Sequence, residues 1–177
     1  MATLTTNQNF LSPIEFKLVL NRLPNVEFFV RSATVPGISS GHTDIATPFK
    51  TFHNPGDRLQ YDEFTVSIIC DENMEAFREV SDWLVALTYP DSFTQYAELG
   101  ARPVGSGGSV PNANGDGVKS DGSLIILNSN KNANVTVKFS DMFPTSVGSI
   151  SLDTSGADVT PLVFDITFKY GKYDIVV

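Results

Sequence analysis

The sequence predicts a mainly β fold, a sandwich or small barrel with one helix packed on it. Three observations lead there. Short runs of alternating apolar residues recur along the chain, as in Phe64–Val66–Ile68 and Leu162–Phe164–Ile166–Phe168–Tyr170, which is the two-residue period of a strand with one buried face. A single stretch carries apolar residues at three- and four-residue spacing instead. Glycine, proline and asparagine clusters separate these runs. With 177 residues and a mean hydropathy of -0.02, the chain suits one folded domain over 1–177 and needs no second.

The elements follow in order. Phe16, Leu18 and Leu20 mark a first strand, and Val26–Val30 reads as a second after the turn-like Asn21–Asn25. From Val35–Pro36–Gly37 to Asn54–Pro55–Gly56 there is little periodicity. This reads as a long connection, a length uncommon in compact domains unless the segment has a use, such as an arm lying on a neighbouring subunit. Phe64, Val66 and Ile68 then form a strand, and a helix is expected from about Asn73 to Leu87. Its apolar stripe is Phe77, Val80, Leu84 and Leu87; Asp71 or Asn73 caps its start and Pro90 stops it. Trp83 on this helix is assigned to the core, with an outward-facing patch as the alternative.

Residues 100–122 are rich in Gly, Ser and Asn without apolar periodicity, which predicts a flexible loop or hairpin tip. Leu124–Leu127 and Val135–Phe139 read as a hairpin around Asn128–Asn132. Ile150–Leu152 is expected to lead into the long Leu162–Tyr170 strand, and Tyr173–Val177 to close the sheet. The expected core comprises Phe64, Val66, Phe77, Trp83, Leu84, Phe164, Ile166 and Phe168.

No constellation of residues calls for catalysis. Asp62–Glu63 and Asp71–Glu72 are adjacent carboxylates, and neighbours along a strand face opposite ways, so neither pair converges on a substrate. Asn112–Gly117 resembles the opening of a calcium loop, but the twelfth position is Ser123 rather than Glu. The glycines of 105–108 and 115–122 lack the Gly-Lys-Ser/Thr of a phosphate loop, and no serine occupies a nucleophile elbow. A lone cysteine, Cys70, forms no internal disulfide, and with two histidines, His42 and His53, it offers little for zinc. The reading is a non-enzyme with no cofactor and no metal. No apolar run is long enough to span a bilayer and no signal peptide is visible, so folding in a cytoplasm is expected. The net charge of -8 opposes ordinary phosphate binding; it serves solubility, or makes a surface past which DNA slides.

Three blocks carry a family resemblance. The first is Gly56–Asp57–Arg58 with Tyr61–Asp62–Glu63–Phe64–Thr65–Val66, continuing through Asp71–Glu72 into the helix with Trp83. The second is Asp141–Met142–Phe143–Pro144–Thr145–Ser146–Val147–Gly148, followed by Leu152–Asp153 and Phe164–Phe168. The third is Arg22–Leu23–Pro24–Asn25 with Ala33–Thr34–Val35–Pro36–Gly37. In order and spacing they resemble the tail tube proteins of contractile-tailed phages, a superfamily that includes type VI secretion tubes.

That resemblance implies a β-sandwich whose hexameric rings stack into an inner tube inside a contractile sheath, a conduit for genome delivery located in the virion tail. The implied partners are further copies of the chain, the sheath protein, baseplate and neck tube proteins, and passing DNA that is not specifically bound. Gly56, Asp57, Arg58, Phe143, Pro144, Thr145, Val147 and Gly148 become candidate turn or inter-subunit residues. Asp57 and Arg58 are expected to pair at a subunit boundary or sit in a local turn, and Pro144 to Gly148 to turn between strands. The alternatives are an initiator or terminator ring of the same fold and, outside the class, a soluble ligand-binding β-barrel.

Overall fold

A computed structural model describes residues 10–88, 94, 118–154 and 160–177. It contains β1 (Phe16–Leu20), α1 (Pro24–Phe28), β2 (Val30–Ala33), β3 (Ile38–Ala46), β4 (Thr51–Tyr61), β5 (Phe64–Ile69), α2 (Glu75–Thr88), β6 (Ser120–Leu127), β7 (Ala133–Val147), β8 (Val163–Lys169) and β9 (Lys172–Val176). Seven strands hydrogen-bond in the order β1-β6-β7-β8-β5-β2, with β9 also on β7, and β3 and β4 form a separate two-stranded ribbon.

The length of β7 makes the fold. Its first part pairs with β6 and β9, and from Phe143 to Val147 it pairs with β8. Between the two lies Asp141, with a left-handed φ of 60° that aspartate tolerates better than most residues. The Asp141 amide donates to the Asp121 carboxylate at 3.1 Å, and the Gly171 amide to the Ser140 carbonyl at 2.9 Å. One strand thus passes from one layer to the other, and the layers close over a common core. Phe64 on β5 lies against Phe139 on β7 with ring centroids 4.5 Å apart, and Phe64, Val66, Ile68, Phe164, Ile166 and Phe168 are buried as the alternation predicts.

The helix α2 starts where expected. Asp71 accepts the amides of Glu75 and Ala76 at 2.9 and 3.2 Å. Burial works to raise this carboxyl, but the amide hydrogen bonds outweigh it and hold it below the usual range. The fully buried residues are Ala76, Val80 and Trp83, of which the predicted stripe contains Val80; Phe77 and Leu87 pack partly buried against the core. Leu84 is only half-buried, and Phe77 sits at the margin of the core, edge-on to Phe164 at 5.3 Å. Small Ala76 lets the helix approach closely, which turns the buried face toward Ala76 and Trp83. Trp83 is buried and its indole donates to the Val118 carbonyl at 3.1 Å.

Other expectations are corrected. Residues 26–30 are not one strand: Pro24 presets the first turn of α1, a second, short helix that buries Leu23 and Val26 at three-residue spacing. Ile150–Leu152, which precedes the Leu162–Tyr170 run, has no regular secondary structure. Pro144 and Thr145 lie within β7, not in a turn. Past Phe143, β7 pairs with β8 alone among the described strands, and such an edge tolerates proline's missing donor. A bulge falls between Pro144 and Ser146. The hairpin around residues 128–132 is present, while residues 100–117 of the predicted loop, and its calcium-like stretch, lie outside the described residues; Ser120–Gly122 already belong to β6.

Candidate assembly interface

The segment 38–57, read as a connection without periodicity, is the ribbon of β3 and β4. Alternation arises from burying one face, and here neither face is buried. Every residue of β3 is exposed, as is every residue of β4 except half-buried Gly56 and Tyr61. The ribbon is an arm whose extensive contacts are between its own strands. An isolated two-stranded hairpin has marginal stability in water. This one also leaves Ile38, Ile45, Phe49, Phe52 and Leu59 exposed, with Phe49 at 97%.

The root of the arm is rigidly held. Tyr61, the last residue of β4, packs between Tyr170 and Tyr173 with ring centroids 5.8 and 5.4 Å away, and Phe139 lies 5.1 Å from the Tyr170 ring. The Tyr170 hydroxyl donates to the Asp62 carbonyl at 2.8 Å, and the Tyr173 hydroxyl to the Pro36 carbonyl at 3.1 Å. The Asp62 amide donates to the Gly37 carbonyl at 3.1 Å, closing the base. Burial first, and then the neighbouring Tyr173, Asp62 and Tyr61, push the Tyr170 phenol up to about 12.

Candidate residues from the sequence fall into two groups. Gly56, Asp57 and Arg58 lie in β4 on the arm. A Cβ on Gly56 would come within 2.6 Å of the Gly41 carbonyl oxygen, so the crossing of the two strands requires glycine there. Asp57 and Arg58 do not pair with one another among the described ion pairs; they are neighbours on an exposed strand and face opposite ways. Phe143, Pro144, Thr145, Val147 and Gly148 lie at the β7 edge, away from the arm in sequence. The Thr145 hydroxyl donates to the Thr167 carbonyl at 3.1 Å, and the Gly148 amide to the Asp165 carbonyl at 2.7 Å. These contacts tie the edge to β8.

The arm also brings both histidines together, which spacing in the sequence does not reveal. His53 Nδ1 lies 2.6 Å from the Asp44 carboxylate and His42 Nε2 3.7 Å from it. Among the described residues no group of histidine, cysteine and carboxylate side chains has the geometry of a metal site.

The arm is anchored at its root and exposed along its length. The phage tail tube protein family model matches residues 4–176. The chain belongs to that family. No curated protein matches the sequence. Among solved structures, this tail tube protein resembles the anti-feeding prophage tube-terminating cap at 18% identity and a TM-score of 0.61, over 98% of this chain and 95% of that one. It resembles a chain of the sheath-tube complex of an extracellular contractile injection system at 17% identity and a TM-score of 0.60, over 98% and 99%. An Hcp protein from Flavobacterium johnsoniae matches at 12% identity and a TM-score of 0.50, over 94% of each chain. At these identities the likeness is one of fold.

Proposed function

We propose that this tail tube protein forms hexameric rings that stack head to tail into the inner tube of a contractile phage tail, and that the arm makes contacts between copies. The observation that carries this reading is the arm itself. Its apolar residues are left about half exposed or more in the single chain, Phe49 almost wholly, and its root is tied to the body by two tyrosine hydroxyls. Among the described residues, strands β1, β2 and β9 each pair on one side only, leaving edges that ring closure would pair or cover. A contact between unlike surfaces of identical subunits does not close on itself along the axis, so it propagates.

In this reading the sheath surrounds the tube, and baseplate and neck proteins of the same fold meet its ends. The net charge of -8 repels phosphates, which suits a lumen that DNA crosses without binding. A tube-terminating ring is the second reading, favoured by the similarity to the anti-feeding prophage cap. Replacing residues 42–55 with a short Gly-Ser turn tests the role of the arm. The expected result is a folded protein unable to form tubes; tubes of normal length would refute an assembly role for the arm.

A further inference from the structure

The tip of the arm and a groove on the body match each other. The tip, residues 47–50, is closed by Thr47: its amide donates to the Lys50 carbonyl at 3.1 Å and its hydroxyl donates to the same oxygen at 2.7 Å. This holds Phe49 out into solvent. Lys50 is the only charged residue between Ile45 and Phe52, and its ammonium sits 4.4 Å from the Phe52 ring centroid. The tip is therefore an apolar knob carrying one positive charge.

The groove, about 680 Å³, has walls that include Met74, Phe77, Ile150 and Leu152. That volume lies in the range of sites that enclose a bound group. Leu152 is 81% exposed and Met74 42%. Asp71 and Glu72 form an acidic rim. An apolar knob with one cation faces, in kind, an apolar groove with two anions.

Placement decides which molecule supplies the knob. The arm is rooted at Tyr61 and Asp62, just before β5, and the groove begins at Cys70, just after it. The root of the arm and the groove thus lie at opposite ends of one strand, about 20 Å apart at the rise of an extended chain, and the tip lies beyond the root by the length of β4. Phe49 at 97% exposure is not in its own groove.

We propose that the groove between the start of α2 and residues 150–152 receives the arm tip of a second copy of this chain, with Phe49 in the apolar floor and Lys50 against Glu72. This rests on the reading that the arm joins copies within a tube, and it names the seat. Because Phe49 stands free of its own groove, each copy offers both knob and groove at once. The contact is heterologous and repeats from copy to copy.

Cys70, the chain's only cysteine, lines the groove and gives a direct test. Pro48→Cys places a second thiol at the tip while keeping Phe49 and Lys50. Assembled tubes are treated with a short bismaleimide and run on a denaturing gel. A ladder of covalent multimers that disappears in Pro48→Cys/Cys70→Ser is expected. Tubes that form without a ladder overturn the pairing and leave the stacking reading standing. If the native chain forms neither rings nor tubes, the stacking reading fails and the pairing with it.

A second measurement needs no crosslink. Lys50→Glu and Glu72→Lys are each expected to lose most of their tube mass by pelleting, and the double variant to recover it. A double variant no better than either single one overturns the pairing.

Discussion

The Tyr170 hydroxyl donates to the Asp62 carbonyl at 2.8 Å, across 108 positions of sequence, and so ties the end of β8 to the foot of the arm. With Tyr173 bound to the Pro36 carbonyl, the two tyrosines hold both chains of the ribbon where it leaves the body. Tyr170→Phe and Tyr173→Phe are each expected to cost about 0.5–1.5 kcal/mol, the net worth of one hydrogen bond. Amide exchange should rise at Gly37–Ile38 and Tyr61–Asp62 and stay unchanged in β5 and β8. Equal rises in the core strands would show that the tyrosines support the fold rather than the arm.

The same phenol sets an alkaline limit. Its pKa is raised from 10.0 to about 12, because burial and the neighbouring Tyr173, Asp62 and Tyr61 disfavour the phenolate. A raised folded value means that the contribution is fully present below pH 10.0 and lost as pH rises through about 12. Arm protection is expected to fall across that window, and the fall should be absent in Tyr170→Phe.

Gly56→Ala places a methyl group 2.6 Å from the Gly41 carbonyl oxygen. The clash is with backbone, so the two strands must part, at a local cost of about 1–3 kcal/mol. Thermal unfolding should stay near that of the native chain, because the arm lies outside the core, while assembly is weakened. A large drop in melting temperature would contradict this separation of arm and body.

Phe64→Ala removes the ring that stacks on Phe139 at 4.5 Å, a residue with no exposed surface. The expected loss is about 3–5 kcal/mol, enough to unfold a marginal domain, measured by urea denaturation. Asp71→Ala removes the cap of α2 and should cost about 0.5–2 kcal/mol. The Asp71 carboxyl is held below its usual 3.8, so its contribution is present above that value and lost as pH falls through the lower folded one. Acid unfolding of Asp71→Ala should lack that component.

What the sequence revealed follows burial. The run from Leu162 to Tyr170 reads correctly because β8 has one face in the core and one outside, and the hairpin at 128–132 because its turn residues are distinctive. The arm escaped for the opposite reason: a ribbon exposed on both faces writes no period. α1 escaped because Val26 and Phe28 favour strands, and only Pro24 and the three-residue spacing of Leu23 and Val26 signal a helical turn. Pro144 suggested a turn because proline usually breaks strands, and only the pairing order shows that β7 is an edge there. The tyrosine root joins residues 36, 61–62, 170 and 173, and no local pattern links positions so far apart.

A subunit that stacks into a tube should assemble on its own as its concentration rises, and negative-stain microscopy of the purified protein at low salt shows whether it does. Smooth hollow tubes or stacked six-fold rings are predicted. Particles that remain monomeric at every concentration, even beside a baseplate extract, would contradict stacking.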